Sequence, residues 1–284
     1  MMNLLSKSLL TIFLLAAMVL KGQVTCLPND SIAFTIKMGQ FEQMGQGAME
    51  NPIIAVGKTF LGTPYVEKTL EIGETESLVV NLRGFDCTTY VENVLAFGLM
   101  LQNDQRKFGH LAKNLETIRY RNGNLNGYPS RLHYFTDWIR NNEKKGLVKD
   151  ITKELGGEEH KKPINFMGTH RTLYPFLKDD KNYEDMLAVE KELAHESLCI
   201  LAQDQIQNNE HQILSGDIIA LATSIKGLDV THTGFAIKQK GRIHLLHASS
   251  SGSVRITQEP LVDYLKKIKS NIGIIVARPS LLSP

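Results

Sequence analysis

The apolar residues of this chain change period once, at about Leu214, and that change constrains the fold more than any other feature. Downstream, Asp217–Thr223, Gly234–Lys238, His244–His247, Val254–Gln258 and Ile272–Ala277 alternate or are continuously apolar and β-branched, as strands are. One short helical stretch, Leu261–Ile268, interrupts them. Upstream, Asn51–Leu61, Asp86–Leu101, Phe108–Tyr120, Arg131–Asn142 and Tyr183–Glu196 carry apolar residues at helical spacing. Gly62-Thr63-Pro64 closes the first of these helices, because proline disfavours helical geometry in the residue before it. Helices first and strands last imply an α+β fold, N-terminal helices packed on a mostly antiparallel sheet. Two short strands are expected at Thr69–Ile72 and Leu78–Leu82, around Gly73-Glu74-Thr75. Ile151–Lys181 is polar with Gly and Pro, and reads as an extended excursion with little core. No internal repeat or low-complexity segment breaks the chain.

The N-terminus stands apart. One Lys precedes the apolar run Leu9–Leu20, which is shorter than the ~20 residues a membrane-spanning helix takes and fits the core of a secretory signal. Residues 1–22 are therefore read as a signal peptide, with cleavage after Gly22 or after Cys26. An uncleaved anchor and acylation at Cys26 are the alternatives. Residues 23–48 follow as a leader, polar at first and then weakly helical, and 49–284 as the catalytic domain with an inserted excursion near 103–200. The expected location is the periplasm or the exterior, with no stable membrane span after signal removal. The net charge of +2 and the dispersed Lys and Arg residues give none of the basic excess on which nucleic-acid binding draws.

Cys26, Cys87 and Cys199 are the only cysteines. Cys87 and Cys199 could form one disulfide in an exported protein, though a chain of this size does not need it. A free thiol in an oxidising compartment is a chemical liability, so its reactivity is the question. If Asp86 caps the following helix, Cys87 falls in the first turn. Unpaired N–H groups and the helix dipole there favour a thiolate, lower the thiol pKa and can donate to an oxyanion. The alternative is a small buried hydrophobe.

A thiolate nucleophile needs a base, and the base needs an orienting group. His232 starts the apolar strand Gly234–Ile237, and His247 ends Ile243–Leu246. A hairpin around Lys240-Gly241 brings the two to one sheet face, where cross-strand neighbours lie about 5 Å apart. Two unrelated strand-end histidines are the alternative, since register is not fixed by sequence. A zinc site built on His244 and His247 is disfavoured, because strand positions three apart face opposite ways. No H-E-x-x-H helix is present. Gly45-Gln46-Gly47 lacks the strand and third glycine of a dinucleotide loop. Arg131–Trp138 concentrates aromatics, which pack a core more often than they bind a ligand; Arg131 is a candidate to face a substrate carboxylate.

Taken in order, Leu61-Gly62-Thr63-Pro64-Tyr65-Val66, Phe85-Asp86-Cys87-Thr88, Leu214-Ser215-Gly216-Asp217-Ile218-Ile219, His232-Thr233-Gly234-Phe235-Ala236 and Leu246-His247-Ala248 resemble the NlpC/P60 cysteine peptidases. The longer stretches Asp86–Glu92 and Arg131–Trp138 resemble one branch, DUF1460, described as N-acetylmuramoyl-L-alanine amidase-like. The resemblance covers roughly residues 50–278. It implies a papain-like core, Cys87 as nucleophile, His232 as base and His247 as the orienting third residue. Tyr65 would help bind the oxyanion, and Asp86, Thr88 and Arg131 would contribute oxyanion or substrate contacts. No metal or other cofactor is implied; the partner is peptidoglycan or a muropeptide.

The sequence departs from the common pattern at Thr88-Thr89, where Ser-Gly is usual, and at Glu67-Lys68, where a Gly pair is usual. These departures point away from the D-Glu–diamino acid endopeptidases and toward cleavage between the muramyl lactyl group and L-Ala. A noncatalytic wall-binding module on the same fold and a zinc amidase are the other readings. A reactive Cys87 would alkylate below the pH of an ordinary thiol.

Overall fold

The computed structural model describes residues 24–44 and 51–282. The signal segment and Gly45-Gln46-Gly47 lie outside them. Strand β1 (Val24–Thr25) leads into helix α1 (Pro28–Met44). Phe34, Met38 and Phe41 fall on one face of α1 and are buried, with Phe34 and Phe41 against Phe97 at 6.0 and 5.4 Å between ring centroids. The stretch read as a leader thus contributes to the main core. Asp30 fixes it there, accepting from the Leu27 and Leu82 N–H groups at 3.0 Å each and pairing with Arg83 Nε at 3.2 Å.

Helix α2 (Pro52–Lys58) is capped by Asn51, whose side chain accepts from the Ile54 N–H. The expected strand pair after it is not formed. Strand β2 is only Leu78–Val79, and its partner is β1, in parallel. Thr69–Ile72 is not a strand: Lys68 sits at φ 58° and accepts from the Glu71 N–H, so the chain coils there instead of extending. Helices α3 (Cys87–Gln102), α4 (Phe108–Arg119) and α5 (Phe135–Lys144) follow. Helix α5 begins four residues later than its pattern suggests, because Arg131 is extended and bridges Tyr120.

The region read as a polar excursion carries core residues. It holds β3 (Val148–Asp150), β4 (Glu158–His160) and the short α6 (Phe166–Thr169). Ile151, Leu155, Ile164, Met167, Phe176 and Leu177 are all buried. They stand singly among polar residues, each filling its own gap, so no period reveals them. Helix α7 (Asp180–Leu193), strand β5 (Leu198–Ala202) and α8 (Ile206–Asn209) complete this region. The apolar run of β5 was not anticipated as a strand. Cys199 lies on it and is free, as are Cys26 and Cys87, so the disulfide considered above is not formed.

The C-terminal half is β6 (Ile218–Thr223), β7 (Val230–Gln239), β8 (Arg242–Ala248), β9 (Val254–Ile256), α9 (Leu261–Lys266) and β10 (Asn271–Pro279). The sheet order is β4-β5-β10-β6-β7-β8-β9, with β3 also on β10, and every pairing in it is antiparallel. Ile218, Ala220, Phe235 and Leu246 face the helical core; Ile219, Leu221, Ala236 and Leu245 face a second core closed by Leu261 and Leu265 of α9. The alternation is therefore buried on both sides, which is why these strands read as continuous apolar runs. Asp217 pins the start of β6 to β10 through two 2.8 Å bonds from Arg278. The exposed edge strand β4 carries Glu158, Glu159 and His160, charges and polarity that discourage pairing with another chain.

Candidate active site

The site is assembled where α3 starts against β7. Asp86 is the N-cap residue: its carboxylate accepts from the Thr89 N–H at 2.7 Å, and Thr89 Oγ1 accepts from the Asp86 N–H at 3.0 Å. This reciprocal cap fixes the chain direction and makes Cys87 the first residue of α3. Tyr90, one turn on, packs edge-to-face on Phe235 of β7 at 5.9 Å. The Thr233 backbone, one residue past His232, and Thr88 lie close enough to the Cys87 thiol to lower its pKa, which places the sulfur at the start of β7. Tyr65 is held beside it by a bridge to Phe85 and by its N–H donating to Gly252 at 2.8 Å. The Tyr65 phenol is pushed up by burial, then by Cys87 and Asp86, which locates it next to both.

His232 and His247 are brought together by the expected hairpin. Lys240 and Gly241 both adopt positive φ, 49° and 81°, as a two-residue turn between right-twisted strands requires. Phe235 pairs with Leu246, so the two histidines are diagonal rather than directly opposite. The residue facing His247 is Gly234. A Cβ there would lie 2.7 Å from the Leu246 oxygen and 2.8 Å from the His247 Cβ, and its absence lets His247 lean across. His232 Nε2 lies 2.6 Å from His247 Nδ1. That leaves Nδ1 as the His232 nitrogen not engaged by His247. His244, three residues before His247, bonds the Thr257 carbonyl instead. Among the described residues no group of three His, Cys, Asp or Glu side chains is arranged to hold a metal.

The electrostatics differ from the sequence expectation in one respect. The Cys87 thiol is pushed up to about 12, first by burial of the sulfur and then by Asp86; Thr233 and Thr88 pull it only partly back. The capping carboxylate offsets the positive helix end that was expected to favour thiolate. Burial likewise pushes His232 down to about 4. His247 goes down to about 3 through burial, then His232 and Arg255. Burial thus favours the neutral thiol at Cys87 and the neutral imidazole at His232.

These histidines carry a stability consequence. His133, His232 and His247 are all held neutral by burial. As pH falls through about 6.5, the unfolded chain protonates them while the folded chain does not. The unfolded state then binds more protons, and stability is lost on the way from about pH 6.5 toward pH 4. At pH 5 His232 and His247 each lower stability by an amount on the order of 2 kcal/mol. Urea unfolding is expected to give a free energy several kcal/mol lower at pH 5 than at pH 7.5; equal values would contradict the burial of neutral histidines.

A cleft of about 220 Å³ opens beside the start of α3, lined among others by Asp86, Thr88, Glu71, Tyr128, Arg131 and His133. Arg131 does not lie free in it. Its guanidinium is buried, 3.8 Å from Glu71 and 3.6 Å from Glu76, and stacks over the Tyr128 ring at 4.9 Å. Its charge is balanced from within the protein. Glu71 and Glu76 each keep one buried oxygen without a partner among the described residues. Sequence reasoning missed Glu71, Glu76, Tyr128 and His133, as it missed Tyr264, whose ring lies 5.6 Å from His247. Only the repeated Glu in a coiled loop signalled the first two.

Comparison with known proteins gives the family. Residues 55–274 match the AmiA-like family, described as N-acetylmuramoyl-L-alanine amidase-like. An N-acetylmuramoyl-L-alanine amidase from Bacteroides uniformis is 36% identical, with a TM-score of 0.77, covering 83% of this chain and 99% of its own. A protein from Bacteroides fragilis, described as a xylanase candidate, is 43% identical, with a TM-score of 0.75, covering 79% of this chain and 99% of its own. Protein LPG0564 from Legionella pneumophila, a DUF1460 member, shares the fold at 22% identity and a TM-score of 0.67, covering 88% and 95%. No protein of curated function matches. By extent of match and by identity, the chain belongs to the N-acetylmuramoyl-L-alanine amidase-like family.

Proposed function

We propose that this protein is an exported cysteine hydrolase of the NlpC/P60 type that cuts the N-acetylmuramoyl–L-alanine amide of peptidoglycan or muropeptides. The observation that carries the reading is the 2.6 Å His232–His247 hydrogen bond beside a cysteine at the first turn of a helix. His232 takes the proton from Cys87 as the sulfur attacks the lactyl carbonyl carbon. The negative oxygen that forms is met by unpaired N–H groups of the first turn of α3 and by the Tyr65 hydroxyl. The C–N bond then breaks, and His232 returns its proton to the leaving L-Ala amine. Water, deprotonated by His232, splits the thioester and leaves a lactyl carboxylate.

Membership of an amidase-like family supports this bond over the D-Glu–diamino acid bond, as do Thr88-Thr89 and Glu67-Lys68. A xylanase reading has less support. Glycosidases flank the scissile bond with two working carboxylates. Here Glu71 and Glu76 face Arg131, and Asp86 is committed to a helix cap. Export is supported by Leu9–Leu20, and no helix of the described residues is long and apolar enough to cross a membrane.

Mass spectrometry of products from a defined muropeptide tests the reading. A peptide with a free L-Ala N-terminus, together with an intact lactyl acid on the sugar, is expected. A free diamino-acid N-terminus would mean the endopeptidase reaction, and binding without product would mean a wall-binding module.

A further inference from the structure

His247 Nε2 is buried and has no hydrogen-bond partner among the described residues. Its other nitrogen shares a single proton with His232 Nε2, and the owner of that proton decides the chemistry. If His232 holds it, His232 Nδ1 is a bare lone pair able to accept from Cys87, and neutral His247 must carry its own proton on Nε2. If His247 Nδ1 holds it, the proton of His232 sits on Nδ1 and no base faces the cysteine. The working arrangement therefore needs an N–H at the one buried position that offers no oxygen or nitrogen to receive it.

Tyr264 of α9 is an aromatic neighbour of His247. Its ring centroid is 5.6 Å from that of His247, with the planes at 72°. An aromatic face is electron-rich: it attracts an N–H and repels a nitrogen lone pair. The two tautomers thus meet this neighbour with opposite sign. We propose that Tyr264 is a positioning residue whose ring face receives the Nε2–H of His247, fixing the tautomer in which His232 is a base toward Cys87.

Two surroundings support this role. Arg255 pairs with His247 across β8 and β9, and its charge opposes a second proton on His247, which keeps the tautomer the only variable. Burial pushes the Tyr264 phenol up, with Arg255, Glu259 and Cys87 as smaller influences. The inference deepens the cysteine-hydrolase reading and rests on it.

Imidazole nitrogen NMR on the ¹⁵N-labelled protein tests it, with His247 assigned by its loss in His247→Gln. The expected spectrum has His247 protonated at Nε2 and bare at Nδ1, with the Nε2 proton shifted by the Tyr264 ring current. Tyr264→Leu is expected to mix the tautomers and lower kcat at least about tenfold with KM little changed, since a wrong tautomer disables the base. Tyr264→Phe, which keeps the ring, should retain both spectrum and kcat. The inference is overturned if wild-type His247 is protonated at Nδ1, if Tyr264→Leu changes neither tautomer nor kcat, or if Tyr264→Phe is as damaging as Tyr264→Leu. The wild-type spectrum decides even where the leucine variant does not fold. An active Cys87→Ala variant would instead remove the nucleophile reading, a separate failure.

Discussion

A Cys87→Ala variant is expected to fold like the wild type and to release no product from a muropeptide, with kcat lower by about 10³-fold or more. The loss is chemical, since no other described side chain at the start of α3 supplies a nucleophile with a histidine beside it. Thr88 and Thr89 are the nearest hydroxyls, and Thr89 Oγ1 is held in the cap. The fold is expected to survive because the elements that start α3 do not use the sulfur. The Asp86–Thr89 cap remains, and Tyr90 keeps its seat on Phe235. The change in unfolding free energy is expected to stay within about 1 kcal/mol, since neither cap nor core packing is removed. Product release by mass spectrometry and urea unfolding, run on the same preparation, separate the two effects. Hydrolysis at the wild-type rate would sink the covalent mechanism.

The pair of histidines shows how far sequence carries a site of this kind. Alternation in Gly234–Ile237 and Ile243–Leu246, with a turn at Lys240-Gly241, was enough to place His232 and His247 on one hairpin. It was not enough to give register. Directly opposite positions and diagonal positions differ by two residues, which leaves every side chain on the same face, so the hydrophobic pattern is blind to the difference. What selects the diagonal contact is the space at Gly234, a packing fact about His247 and Leu246. The place of Cys87 at a helix start was legible through its cap, because Asp86 and Thr89 act within four residues of one another. The charge state of Cys87 was not, because it depends on how deeply β7 and Asp86 enclose the sulfur.

The elements that went unread are those whose partners are remote in sequence. The leader was read as weakly helical and forms α1, but its packing was not legible, because Phe97, the counterpart of Phe34 and Phe41, lies on α3. Glu71 and Glu76 sit in an irregular loop and acquire meaning only beside Arg131, which itself leaves the helical pattern to bridge Tyr120. Tyr264 looked like one residue of a short amphipathic helix. Its place against His247 follows from how α9 closes the second core. Local periodicity thus gave the α+β architecture, while the cleft was set by contacts between elements.

The largest stability effect is expected from Arg119→Met. Arg119 of α4 is almost wholly buried and donates to Glu92 of α3 at 2.7 Å and to the Val79 carbonyl of β2 at 2.7 Å. One side chain thereby ties together β2, α3 and α4, directly beneath the helix that presents Cys87. Burial pushes the Glu92 carboxyl up, and the guanidinium pulls it back. With Arg119 replaced, Glu92 must either hold an uncompensated charge in the core or take up a proton, and the Val79 carbonyl loses its donor. Removing one member of a buried pair costs about 3–5 kcal/mol, far more than the loss of an exposed pair such as Lys181–Asp185. Replacing both members by apolar residues removes the stranded charge as well as the pair. The double variant Glu92→Leu with Arg119→Met is therefore expected to be more stable than Arg119→Met alone. Urea unfolding of the wild type, both single variants and the double variant measures this coupling. Additive losses across the cycle would mean that Glu92 and Arg119 do not depend on one another, and that the anchoring of α3 resides elsewhere.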